Sequence, residues 1–130
     1  SPCSVEILKT DYGVPTGSTR PRSLTSAVRL GDFHTRGAVS LAGYAGQPYA
    51  LLMDPAGLAV RLTHSASKFP PAPVVLFNVW GDPGRGYFSP EPWVGLQNSL
   101  NLQEGLIFLG PGEHYEWKIL IEPQREVKQP

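Results

Sequence analysis

The stretch Asp54-Pro55-Ala56-Gly57-Leu58-Ala59-Val60-Arg61-Leu62-Thr63 decides the class of fold. Its first four residues are turn formers, with Pro55 presetting φ and Gly57 free to take a positive φ. Behind the turn, Leu58, Val60 and Leu62 alternate with Arg61 and Thr63. That period of two puts the apolar side chains on one face of a strand, whereas a helix would return them every third or fourth position. Before the turn, Tyr49 to Met53 is a short apolar run.

Similar signals recur at short intervals on both sides. Upstream, Val5-Glu6-Ile7-Leu8 reads as a short strand, and Leu24, Val28 and Leu30 are apolar around Thr25 and Arg29. Val39 and Leu41 alternate with Ser40. Between the first two of these, Pro15-Thr16-Gly17-Ser18-Thr19-Arg20-Pro21 reads as a loop by composition. Downstream, Val74-Val75-Leu76-Phe77 and Leu106-Ile107-Phe108-Leu109 are almost wholly apolar, the pattern of strands covered on both faces. After the turn Gly110-Pro111-Gly112-Glu113, Tyr115, Trp117, Ile119 and Ile121 line one side of a last strand. Seven or eight strands result, with no helix long enough between Gly and Pro breaks to nucleate. The expected fold is all-β, an antiparallel β-sandwich. Residues 1–22 form a partly looped N-terminal segment, 23–123 the sandwich and 124–130 a polar tail. Two-faced strands exceed what a sandwich of this size requires, so the chain is expected to pack against something larger than itself.

A length of 130 residues suits one domain with a real core. Eleven basic residues balance eleven acidic ones, which gives nucleic acid and anionic membranes no electrostatic footing. No apolar run approaches the ~20 residues needed to span a bilayer, so a soluble chain is expected. Cys3 is the single cysteine, which excludes an internal disulfide and a Cys-based metal site. Ser1-Pro2-Cys3 carries no signal-peptide pattern, and the compartment stays open.

One acid stands out for chemistry. In Phe88-Ser89-Pro90-Glu91-Pro92-Trp93, neither proline offers a backbone N–H, so the stretch belongs to an edge, a bulge or a rim. Glu91 precedes Pro92 and is biased to extended geometry. Its side chain projects opposite those of the two prolines from a backbone with little freedom, which suits an acid aimed at a substrate. Phe88 and Trp93 are expected to wall the carboxylate from water, as a base near neutral pH requires. The plain alternative is a rim carboxylate paired with Arg85.

The wording from Tyr87 to Leu96, followed by Pro111-Gly112-Glu113-His114-Tyr115-Glu116-Trp117, resembles the C-terminal half of the aldose 1-epimerase (galactose mutarotase-like) family. Met53-Asp54-Pro55-Ala56-Gly57-Leu58-Ala59-Val60, Val74-Val75-Leu76-Phe77 and Leu30-Gly31-Asp32-Phe33-His34 extend the likeness over roughly residues 24–123. The resemblance implies part of a supersandwich in which a Glu deprotonates the anomeric hydroxyl while a His protonates the ring oxygen. By that likeness Glu91 is the base and Asp32 and His34 lie near sugar hydroxyls. The acid His would come from an N-terminal half on a second chain. No cofactor is implied.

Trp80 and Trp93 are candidates to present ring faces to a sugar, against core packing as the ordinary alternative. Trp117 reads as a core residue, and so does His64, which follows Leu62 on the apolar side of its strand. His114 adjoins a turn and reads as solvated. The three histidines lack metal-ligand spacing. Two readings other than the epimerase stand beside it: a carbohydrate-binding, lectin-like sandwich without turnover, and a structural β-domain that pairs with a partner chain.

Overall fold

In the computed structural model, which describes residues 3–9, 14–24, 26–30, 38–71 and 74–125, the turn at Asp54 closes a hairpin. It joins β4 (Tyr49–Met53) to β5 (Leu58–Ala66). The Asp54 N–H donates to the Leu58 carbonyl at 2.7 Å, and its Oδ1 accepts from the Ala56 N–H at 2.6 Å. Gly57 sits at φ 91°, where a Cβ would be strained. On its other side β5 pairs with β8 (Trp117–Arg125), giving a three-stranded sheet in the order β4-β5-β8.

The second sheet runs β2-β1-β3-β6-β7, all neighbours antiparallel. Its members are β1 (Val5–Lys9), β2 (Pro15–Pro21), β3 (Val39–Ala42), β6 (Val75–Asp82) and β7 (Tyr87–Gly95). The expected all-β class with two antiparallel sheets is what the chain adopts. Among the described residues, helix amounts to a 3-10 turn at Pro83–Arg85, 3-10 geometry at Leu30 and one α-helical turn at Ser99–Leu102.

Phe77 marks where the sheets meet. It is buried on β6 and stands edge-on to His64 of β5, ring centroids 5.0 Å apart. Burying a side chain of that size contributes roughly 1.5–3 kcal/mol. Around it on the inner face lie Leu41 and Val79, with Cys3, Tyr44 and Phe88 packed against them. Burial pushes the Cys3 thiol and the Tyr44 phenol above their ordinary pKa values. A second cluster of Ile7, Ala42, Val75 and Leu96, capped by Trp93, gives the five-stranded sheet further buried apolar surface. Ser40, Leu41 and Ala42 are accordingly buried in succession. At β6 the run expected to be covered on both faces alternates, Val75 and Phe77 buried and Val74 and Leu76 half-buried, and unbroken burial comes at Phe77, Asn78 and Val79.

Several segments depart from expectation. The Pro15–Pro21 stretch is strand β2, because β1 supplies the partner that its composition alone does not call for. Arg20 crosses that pair to make a bidentate contact with buried Glu6, at 2.7 and 3.0 Å, and Arg22 adds a third contact at 3.4 Å. Leu24, Val28 and Leu30 form no strand; their irregular segment borders an open space of about 180 Å³ lined also by Leu52, Phe77 and Val79. Leu106 to Leu109 is not a strand either. Gly105 at φ 63° and the Gly110-Pro111 turn break its ends, and the Phe108 carbonyl accepts from the Lys68 ammonium at 2.9 Å. Trp117 is 44% exposed and not a core residue. Among the described residues no helix is long and apolar enough to cross a membrane.

Candidate functional site

The site is built by register. On the five-stranded sheet, Ile7 faces Ser40, Ser40 faces Asn78 and Asn78 faces Glu91, so one rung spans β1, β3, β6 and β7. Paired residues in an antiparallel sheet share a face. Phe77 points at the other sheet, so Asn78 and its rung point away from it, onto the outer face.

Glu91 lies on β7, the edge of its sheet, as its flanking prolines required. The ladder with β6 runs unbroken through Val79–Pro90, Asn78–Glu91 and Phe77–Pro92. Only an exchange of main-chain bonds between Glu91 and Asn78 permits this, and it turns both proline nitrogens to the free margin. The backbone beneath the carboxylate is thereby fixed. Asn78 then fixes the side chain: its Nδ2 donates to Glu91 Oε2 at 2.9 Å, while its Oδ1 accepts from the Ser40 hydroxyl at 3.0 Å. Ser40 is 1% and Asn78 3% exposed, so both groups depend on these bonds for satisfaction. Glu91 is half-buried, and its Oε1 bonds to no described residue.

Aromatic rings flank this row. Trp80 lies two positions along β6 and Tyr87 four positions back along β7, both on the outer face by alternation. Their rings are tilted against each other at 5.2 Å, and Trp80 keeps 46% of its surface exposed. Trp93, two positions beyond Glu91, packs over Ile7, Ala42, Val75 and Leu96. It also borders a hollow of about 350 Å³ shared with Ser99, Ile107, Tyr115 and Trp117, which excludes Glu91 and Trp80. The Tyr115 hydroxyl is buried without a partner, and burial raises its pKa.

The structure thus brings Glu91 and Trp80 to one face, while Trp93, within the register shift of β7, borders a separate hollow. Asp32 and His34 lie outside the described residues. Two expectations about the surroundings of Glu91 are corrected. Phe88 does not wall the carboxylate; alternation sends it to the inner face beside Val79. Arg85 does not pair with it either, being held by Asp82 at 3.3 Å across the hairpin turn. Asn78, Ser40 and Tyr87 were missed. The one legible signal was Asn78 itself, the sole amide in the otherwise apolar run from Val74 to Trp80.

The other histidines sit elsewhere. His64 is buried between the sheets, its Nδ1 accepting from the Trp117 indole N–H at 3.3 Å. Burial holds its pKa below the usual value, with the Leu76 carbonyl opposing only in part. His114 is exposed on the turn closed by Glu113. The Gly110 N–H and the Lys68 ammonium hold the Glu113 carboxyl below its ordinary pKa. No cluster of three potential metal ligands occurs among the described residues. No protein-family model, curated protein or solved structure matches this chain.

Proposed function

We propose that this chain handles a free aldose on the outer face of the five-stranded sheet, with Glu91 as the base of an aldose-1-epimerase-type ring opening. The posture of Glu91 carries the reading. One carboxylate oxygen is held by Asn78 at 2.9 Å, and the other bonds to no described residue, on a face shared with Trp80. A carboxylate held in this way accepts a proton from a hydroxyl laid against it without first reorienting. The exposed Trp80 ring, with Tyr87, offers an apolar plane with polar edges that suits a sugar ring.

The reaction balances as follows. Glu91 takes the proton of the anomeric hydroxyl, an acid delivers one to the ring oxygen, and the bond from C1 to that oxygen breaks as the C1 carbonyl forms. Rotation about C1–C2 and reversal of the same transfers closes the other anomer and restores both groups. No described histidine lies on the outer face, since His64 is between the sheets and His114 is on an exposed turn. We assign the acid to a second polypeptide carrying the N-terminal half of the sandwich.

The same placement of His64 and His114 favours a second reading, a lectin-like face that binds sugar without turning it over. Mutarotation of a panel of aldoses, followed by polarimetry on the chain with its co-purified partners, separates the two. The catalytic reading expects Glu91→Gln to lower the rate about 100-fold or more while sugar binding survives. An unchanged rate in Glu91→Gln removes Glu91 from the mechanism. Sugar binding by the native protein with no turnover of any aldose assigns the second reading.

A further inference from the structure

Among the described residues the two sheets present four margins, formed by β2, β7, β4 and β8. Prolines interrupt β2 and β7, and β4 has only five residues, without charge. β8 differs. It is nine residues long and keeps Ile119 45%, Leu120 54% and Ile121 63% exposed. A long apolar edge of this kind is a template for another strand.

Its register shows which groups are open. The Ser67 N–H donates to the Glu116 carbonyl at 2.9 Å, so Glu116 and the even-numbered residues after it bond to β5. The N–H and C=O groups of Trp117, Ile119 and Ile121 therefore face the free margin. Pro123, which has no N–H to lose, shares that orientation.

We infer that β8 pairs antiparallel with β8 of a second copy of this chain about a two-fold axis at Leu120, joining two three-stranded sheets into one of six. The argument is self-complementarity. In Lys118-Ile119-Leu120-Ile121-Glu122, reversal about Leu120 sets Lys118 opposite the partner's Glu122 and Ile119 opposite the partner's Ile121. Both are required at once in an isologous interface. Open main-chain groups must meet open ones, so odd-numbered residues face odd-numbered ones and even-numbered residues face even-numbered ones. A centre at Ile119 would set Glu116 against the partner's Glu122, and a centre at Ile121 would set Leu120 against that same acid. Of these three centres the one at Leu120 alone pairs the charges, and it forms about six main-chain bonds between the copies.

The side chains are free to comply. Lys118 now reaches only the exposed Glu116, at 3.5 Å. Glu122 makes no ion pair among the described residues, because Arg61 on the facing rung lies 4.1 Å over the Tyr49 ring. Ile119 and Ile121 project to the same side as His64, where the larger sheet leaves them uncovered and a second copy would cover them.

Sedimentation equilibrium over a concentration series tests this. The native chain is expected at twice 14.1 kDa. Lys118→Glu and Glu122→Lys each create two like-charge pairs across the axis, and each is expected to weaken the dimer about tenfold or more. The double variant Lys118→Glu/Glu122→Lys restores opposite charges and is expected to recover native affinity. Ile119→Pro removes only an outward N–H, so it is expected to give a folded monomer by circular dichroism. A 14.1 kDa monomer at about 200 µM overturns the inference. So does a dimer indifferent to single charge reversal, or one the double reversal fails to rescue.

Discussion

Replacing Asn78 with aspartate is an almost isosteric change that reverses one hydrogen bond and leaves the other in place. The Ser40 hydroxyl still has an acceptor at 3.0 Å, but the donor to Glu91 Oε2, now at 2.9 Å, becomes a second acceptor. Two costs follow. A hydrogen bond to a charged group is lost, worth about 1.5 kcal/mol at the low end of its range because Glu91 is only half-buried. A carboxylate is also placed at a position only 3% exposed with a like charge as neighbour, which costs about 2 kcal/mol or more even after relaxation. The sum is about 3.5 kcal/mol or more at neutral pH, a large part of the ~5–15 kcal/mol that holds a domain folded. Two carboxyl groups in contact share a proton readily, so the penalty must shrink as pH falls. Urea unfolding followed by tryptophan fluorescence at about pH 7 and about pH 4.5 reads both effects. Asn78→Asp is expected to lose most of its stability relative to the native chain at the higher pH and regain much of it at the lower. A variant within about 0.5 kcal/mol of native at neutral pH, or a loss that ignores pH, would refute the row as described.

Burial holds the His64 pKa below 6.5, so as pH falls through 6.5 the unfolded chain takes up a proton that the folded chain refuses. Stability is therefore present in full above that value and declines below it, by at most about 1.4 kcal/mol per pH unit, and His64→Phe should flatten that slope in denaturation series. In Gly81→Ala, the new Cβ would stand 2.7 Å from Phe88 Cα and 2.8 Å from the Tyr87 carbonyl, both backbone atoms. Prying β7 from β6 to make room should cost about 2 kcal/mol, measured as a lowered unfolding midpoint. Glu6→Ala strips a buried acid from Arg20 and Arg22. A loss of about 2 kcal/mol is expected, moderated by the exposure of Arg20, with faster amide exchange in β1 and β2.

What the sequence made legible was whatever depends on neighbours along the chain. The hairpin at Asp54-Pro55-Ala56-Gly57, the turn at Gly110-Pro111-Gly112-Glu113 and the edge position of Glu91 all follow from local backbone chemistry, and all are present. Properties set by strand pairing were hidden. Pro15–Pro21 became a strand because β1 lies beside it, and Asn78 meets Glu91 because β6 and β7 share a register. The run from Leu106 to Leu109 erred the other way, since apolar composition cannot create a strand where no neighbour exists to bond it.

Pro90 and Pro92 have an effect that reaches beyond Glu91. An unprotected sheet border beside a binding face invites any extended peptide to zip onto it and bury the opening. With no donors at those two positions, the outer margin of β7 offers an incoming strand an interrupted ladder. Rigidity and guardianship thus come from one pair of imide rings, and exchanging either for alanine should make the protein stickier before it makes it looser.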